Sequence, residues 1–310
     1  MTITAVGTIA YDSISTGRGQ RNYILGGSAT YFSLAASGLA KTNLVSVVGE
    51  DFKSSHRALF SKNSINIENV STLAVKTFHW EGFYDETGNA ETIVTDLNVL
   101  QDFNPILTDS SSRAPYLFLA NIDPDLQIDV LRQMQKKPKL IVGDTMNFWI
   151  ESKNSSLWQV ISQLDVLIIN EGEAQLLTQE SNIIKASHYI LNKGLPALII
   201  KRGAYGSLLI KKDAYFAVPA LPIENVTDPT GAGDSFAGGF FGYIASPTAF
   251  TDLAPEITFK KAMLMGTVMA SFTVEHFGVE GIQAVSHEER INRFRTLENM
   301  MQLINISLDN

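Results

Sequence analysis

The chain has 310 residues, 45% hydrophobic and 18% charged, which excludes a disordered polypeptide and suffices for one large α/β domain or two ordinary ones. Its formal net charge of −8 argues against a generic nucleic-acid binder, so an anionic substrate must be met by local donors. With no cysteine there is no disulfide, no thiolate catalysis and no cysteine-held zinc or iron–sulfur centre.

In chain order, β-type runs at 5–9, 42–48, 116–120, 140–143, 165–170 and 198–201 alternate with helix-type segments such as 126–135 and 173–177. Val166-Leu167-Ile168-Ile169 and Ala197-Leu198-Ile199-Ile200 are apolar on both alternating faces, as strands of a parallel sheet covered on both sides must be. The alternation predicts a layered α/β fold with a mainly parallel central sheet. Residues 75–101 break the rhythm with turn-punctuated, alternating strand character, and 85–89 reads as a hairpin-type turn. Two further helices are predicted at 259–275 and 288–303, with Phe277-Gly278 closing the first. No linker divides the chain. No run of about 18 uninterrupted apolar residues is present to span a bilayer. Met1-Thr2-Ile3-Thr4 does not open a secretory signal, so a cytoplasmic protein with no membrane partner is expected. The sequons at 154–156, 225–227 and 305–307 are then accidental.

The segment Asp228-Pro229-Thr230-Gly231-Ala232-Gly233-Asp234 precedes an apolar run beginning at Ser235. Gly231 and Gly233 permit positive φ and close approach of a ligand, and the first N–H groups of a helix opening near Asp234 lack intrahelical partners. Those donors and the helix dipole favour an anion. A carboxylate in the same turn is a poor phosphate binder but a suitable acceptor for the proton of an attacking hydroxyl. The combination predicts phosphoryl transfer to an alcohol, with Asp234 as base and the N–H groups of Gly231, Ala232 and Gly233 as the anion hole. A plain strand-to-helix turn with an Asp cap is the competing reading. No Gly-Lys-Ser or Gly-Lys-Thr follows, so this is not a Walker A loop.

Asn170 and Glu173 stand three residues apart at the end of an apolar strand. They suit either a helix cap or the organisation of Mg²⁺ through water. Lys201 follows Ile199-Ile200 and precedes Gly203 and Gly206, a place from which it can reach nucleotide phosphates. Asp12 can take two hydroxyl hydrogen bonds from a polyol, beside Gly26 and Gly27. Asp144 and Asn147 follow another buried-type strand and are candidates for the acceptor side. The five histidines show no metal-ligand spacing, and no Gly-x-Ser-x-Gly elbow is present.

The Asp228 to Asp234 segment closely resembles the C-terminal signature of the ribokinase-like, or PfkB, family of carbohydrate and nucleoside kinases. Ala5-Val6-Gly7-Thr8-Ile9-Ala10-Tyr11-Asp12, Gly26-Gly27-Ser28-Ala29, Val48-Gly49-Glu50-Asp51-Phe52, Asn170-Glu171-Gly172-Glu173 and Lys201-Arg202-Gly203-Ala204-Tyr205-Gly206 are similar to its other landmarks, in its order. The resemblance implies a single three-layer α/β/α domain over 1–310, with a small β-sheet lid from about 11–24 and 75–101. It implies ATP and Mg²⁺ with Asn170, Glu173, Lys201, Gly203 and Gly206 on the nucleotide side, Glu173 acting on Mg²⁺ through water. Asp12, Gly26, Gly27 and Tyr31 fall on the acceptor side. It also implies a homodimer through the lid, and a monovalent cation such as K⁺ near Asp228. Ribokinase-type sequences run from the di-glycine into Lys-Gly-Ala-Asn, where this chain has Ser28-Ala29-Thr30-Tyr31, which puts ribose itself in doubt. The expected function is an ATP-dependent kinase of a monosaccharide or related polyhydroxy compound. The alternatives are a nucleoside kinase, a vitamin-type kinase and a catalytically silent binding protein.

Overall fold

The computed structural model describes residues 1–85, 90–247 and 255–302. Residues 86–89 of the expected hairpin turn, Leu303 at the end of the last expected helix, and the sequon at 305–307 lie outside the described residues. The strands in chain order are β1 (Thr2–Val6), β2 (Ala10–Thr16), β3 (Gly19–Gly26), β4 (Lys41–Gly49), β5 (Ile65–Leu73), β6 (Phe78–Tyr84), β7 (Ala90–Asp96), β8 (Tyr116–Leu119), β9 (Leu140–Gly143), β10 (Val166–Asn170), β11 (Ala197–Lys201), β12 (Ser207–Lys211) and β13 (Ala214–Val218).

Nine of them form one sheet in the order β13-β12-β11-β10-β9-β8-β1-β4-β5, parallel from β11 to β5 and antiparallel at β11-β12-β13. Both faces are buried. Val166 and Ile168 of β10 belong to one apolar core, while Leu167 and Ile169 belong to the other. Neighbouring β11 divides the same way, Ala197 and Ile199 on one face and Leu198 and Ile200 on the other. The expected α/β architecture is therefore present, and burial of both sheet faces is its main source of stability.

From β1 the chain builds β4 and β5 on one side and later adds β8 to β11 on the other. That reversal opens a crevice outside the carboxyl end of β1, where ligands bind in such sheets. The helix Ser28–Ala36 lies against the helix Ala232–Ala245, and both pack into the same core through Phe32, Phe240 and Phe241. Their amino ends carry the two motifs that face the crevice.

The remaining four strands make a separate sheet in the order β3-β2-β6-β7. It joins the two segments expected to form a lid, since β2 pairs in parallel with β6 across more than sixty residues of chain. His79 on β6 ties the other three strands to its own: Nε2 stands 3.0 Å from Ser13 Oγ, Nδ1 stands 3.1 Å from Asp96 Oδ2, and the ring stacks on Tyr23. The lid also touches the main body. Thr16 donates its hydroxyl to the Thr227 carbonyl at 2.9 Å, and the Arg21 guanidinium lies 4.8 Å from the centre of the Phe277 ring.

Candidate active site

The helix Ala232–Ala245 begins after Gly231, whose φ of 72° is left-handed. A side chain there is excluded twice, by that conformation and because a Cβ would stand 2.4 Å from the Tyr31 ring. The Ala232 N–H donates to the Pro229 carbonyl at 3.2 Å, so it closes the turn and is not free for an anion. The N–H groups of Gly231, Gly233 and Asp234 have no partner among the described residues, and these are the donors the turn presents.

Asp234, in the first turn of that helix, faces a cluster of charge. Burial and then the Asp144 carboxylate push its pKa up to about 8, against the pull of Lys201, with Asp12 and Glu173 adding to the rise. Asp144 follows β9 and is 5% exposed. Its Oδ1 accepts the Thr145 N–H at 2.8 Å and its Oδ2 accepts Lys201 Nζ at 3.2 Å. Burial raises the Asp144 pKa and the Lys201 ammonium opposes the rise. Lys201 ends β11 in register with Asn170 at the end of β10. Burial disfavours its charge, but Asp144, Glu173 and Asp234 outweigh that and leave its pKa above the ordinary lysine value.

Asn170 and Glu173 form a capping box: Asn170 Oδ1 accepts the Glu173 N–H at 2.8 Å, and Glu173 Oε2 accepts the Asn170 N–H at 2.7 Å. The cap and the site coincide here. The buried Glu173 carboxyl is pushed up to about 7 by desolvation, with Lys201 opposing and Asp144 reinforcing. Gly203 and Gly206 bound the turn from β11 to β12, both with positive φ, and Arg202, just before it, pairs with Glu171 at 2.8 Å.

Asp12 on β2, expected on the acceptor side, is 4% exposed and lies against Gly26, where a side chain would run into its carboxylate. Burial and then Asp228 push its pKa up to about 7, while the Gly27 N–H holds it back. Gly27 itself caps the helix Ser28–Ala36. Tyr31 is 1% exposed, and its hydroxyl has no partner among the described residues. Its pKa is raised by burial and by the surrounding Asp12, Asp228, Tyr84 and Asp234. Asp228 is buried, with Oδ1 accepting the Thr230 N–H at 2.9 Å and Oδ2 the Gly278 N–H at 3.0 Å. Asn147 is exposed at the start of the helix Asn147–Ser152, and no contact ties it to these groups.

Sequence reasoning left Phe78, Trp80, Phe83 and Tyr84 open between stacking on a sugar face or nucleobase and plain sheet packing, and all four lie on β6. Burial raises the Tyr84 pKa, with Asp228, Asp12 and Asp234 adding to the rise. Trp80 is in register with Asp12, so the two share a face of the lid, and its ring lies over Gly82 while Nε1 donates to Thr92 Oγ1 at 3.2 Å. The alternation of aromatic residues in 78–84 carried the signal, though not the facing.

Among the described residues, no three acidic or histidine side chains converge closely enough to cage a metal ion. The open N–H groups at 231, 233 and 234, together with Lys201, fit a polyphosphate. The carboxylates of Glu173, Asp144 and Asp234 beside it fit a hydrated Mg²⁺ that arrives with that polyphosphate. Asp12 and Lys201 both act on the Asp234 carboxyl, Lys201 lowering its pKa and Asp12 raising it. The arrangement can hold an alcohol between a carboxylate that orients it and one that deprotonates it.

The sequence pattern of the pfkB family carbohydrate kinase matches residues 3–284. The chain is 28% identical to a cytidine kinase of Thermococcus kodakarensis over 78% of its own length and 88% of that protein's. It is 26% identical to a nucleoside kinase of Methanocaldococcus jannaschii over 82% of its length and 80% of the relative's. Among solved structures, the Burkholderia thailandensis nucleoside kinase in complex with inosine superposes with a TM-score of 0.77 at 21% identity, covering 95% of this chain and 97% of that one. The crystal structure of the M. jannaschii nucleoside kinase gives 0.75 at 23% identity, over 95% and 98%.

Proposed function

The chain belongs to the pfkB family of carbohydrate kinases, phosphotransferases that act on hydroxyl groups, and from that premise we propose that it is an ATP-dependent nucleoside kinase with Asp234 as general base. The observation that carries the base assignment is the position of Asp234 in the first turn of the helix whose open N–H groups fit an anion, within electrostatic reach of the buried Asp12. The acceptor hydroxyl hydrogen-bonds to Asp234, which takes its proton as the oxygen attacks the γ-phosphorus. The amides of Gly231, Gly233 and Asp234 meet the charge on the transferred group. Glu173, held by its capping box, faces the nucleotide side and organises Mg²⁺ through water. When bound, that ion neutralises charge on the β- and γ-phosphates.

Two lines support a nucleoside over a free sugar. Several relatives are named for nucleosides, and Trp80 with Tyr84 gives the Asp12 face of the lid an aromatic surface that suits a base, as stacking is sequence-tolerant and favourable. The second reading, a sugar or polyol kinase, draws on Asp12, which serves any vicinal diol, and on a relative named inositol 3-kinase, 24% identical over 82% of this chain.

The test is Mg·ATP-dependent ADP release over a panel of nucleosides, sugars, sugar acids and polyols. A nucleoside should show the highest kcat/KM. Asp234→Asn should lower kcat by about 10² to 10⁴ while leaving nucleotide affinity nearly unchanged. A free sugar preferred tenfold over every nucleoside would replace the acceptor assignment, and near-normal turnover in Asp234→Asn would remove the base.

A further inference from the structure

We propose that Asp144 and Lys201 act as one device: Asp144 holds the Lys201 ammonium beneath the turn at 231–234, and the ammonium bonds a non-bridging oxygen of the phosphoryl group in transit. This rests on the kinase reading above. It makes Lys201 a catalytic residue and moves Asp144 from the acceptor side to a positioning role.

Three observations converge. A Cβ on Gly233 would stand 2.8 Å from Lys201 Nζ, so the ammonium lies directly against the backbone whose open N–H groups face the anion. Lys201 donates one N–H to Asp144, and its other two have no partner among the described residues although the side chain is only 17% exposed. An ammonium so desolvated needs further acceptors. Finally, both oxygens of Asp144 are already engaged, one by the Thr145 N–H and one by Lys201, in a side chain 5% exposed. A carboxylate so committed is poorly placed to read a substrate.

Lys201 has other carboxylates within electrostatic reach, Glu173 and Asp234, yet it bonds Asp144. Glu173 is drawn away by the Asn170 N–H in the capping box, which leaves Asp144 to fix the direction of the lysine. Asp234 stays free to take a proton. In the transfer, the acceptor oxygen forms its bond to the γ-phosphorus while its proton passes to Asp234. The bond from that phosphorus to the β–γ bridging oxygen breaks, and its electron pair leaves with ADP. Charge spreads over the equatorial oxygens of the transferred group, the place beside Gly233 where the two spare N–H groups of Lys201 are available.

The measurement is binding of Mg·ADP alone and of Mg·ADP with aluminium fluoride, which imitates the transferring group, followed by calorimetry on the full chain. Lys201→Met should bind Mg·ADP within about threefold of the parent yet lose about a hundredfold of the tightening that fluoride confers, the scale of one preorganised donor. Lys201→Arg should regain most of it, and Lys201→Gln provides a second test should the methionine variant misfold. Asp144→Asn should weaken the fluoride complex in the parent and have no further effect in Lys201→Met, because the two act as a unit. Equal losses with and without fluoride would make Lys201 a uniform phosphate contact and overturn the proposal. Additive effects of the two substitutions would overturn the positioning role of Asp144. Asp234→Asn separates this from the kinase reading: turnover persisting there would sink the base assignment while the fluoride result on Lys201 still stands.

Discussion

At the scale of single residues, the glycine turn shows how much chemistry a local motif specifies. The donors, the dipole and the proposed base all come from positions 231–234, so they could be read in the chain without knowing what surrounds them. Tyr31 could not be read that way. It is two hundred residues from Gly231, and only the fold puts its ring where a Cβ on Gly231 would be, 2.4 Å away. A separation of 57 residues hid the Asp144–Lys201 pair in the same way, and spacing alone suggested an inward role for Asn147, which is exposed. Asn170 and Glu173 were legible in both senses, since a capping box and a buried carboxylate at the strand end are the same residues here. The packing of Tyr31 gives a prediction. Gly231→Ala forces both a left-handed alanine and displacement of the phenol ring, so it should destabilise the protein by about 1–3 kcal/mol. It should also lower kcat more than it raises the KM for ATP. Thermal melts with steady-state kinetics check this; the stability losses of Gly231→Ala and Tyr31→Ala should be less than additive in the double variant, because the cavity relieves the clash, while the kinetic defect remains.

Among elements, the interior strands were the ones sequence made plain. β9 matched its expected bounds, and β8, β10 and β11 did so within one residue, because each is buried on both faces and reads as an uninterrupted apolar run. β5 and β13 are the edges of the large sheet and were not anticipated. Their alternation of exposed and half-buried residues, as in Ile65–Leu73, lacks such a run. The first strand sits earlier than expected, at Thr2–Val6, because 7–9 leave the sheet to meet the helix Ser28–Ala36 through Thr8 and Ser28. The small sheet fell close to its expected place, and its role can be tested through β6. Trp80 shares the Asp12 face but touches none of the charged groups, so Trp80→Ala should raise the KM for a nucleoside acceptor by about tenfold, the value of one aromatic stack, and leave the KM for ATP unchanged. Equal KM values for the acceptor in both proteins would place the base elsewhere.

For the whole molecule, the decisive property is that the free protein assembles Asp12, Asp144, Glu173, Asp228 and Asp234 in one crevice, where Lys201 opposes three of them, Asp144, Glu173 and Asp234. All five carboxyls have raised pKa values, Asp12 and Glu173 at about 7 and Asp234 at about 8, against ordinary values of 3.8 for Asp and 4.5 for Glu. In the window between those limits the folded chain binds more protons than the unfolded one. Stability must therefore fall as pH rises through it, and level off above about 8. His56 works the other way, since burial and then Lys53 lower its pKa, but its opposing slope is already halved at its ordinary value of 6.5 and fades within about a unit above it, while the carboxyls continue to titrate. The exposed carboxyls with lowered values, such as Glu289, titrate below the window. The range from pH 6.5 to 8 is thus the clean test: the Tm of the nucleotide-free protein should decline across it, and Asp234→Asn should both flatten the decline and melt higher than the parent at pH 8. Mg·ATP should reverse the trend, because cations brought to the crevice stabilise the ionised carboxylates and binding to the folded state alone raises Tm. A Tm that stays level or rises from pH 6.5 to 8 would mean that these carboxylates ionise in the folded chain as easily as in water. The crevice would then have to be open to solvent, with the lid standing away from Asp12 and Asp234 until substrate draws it down.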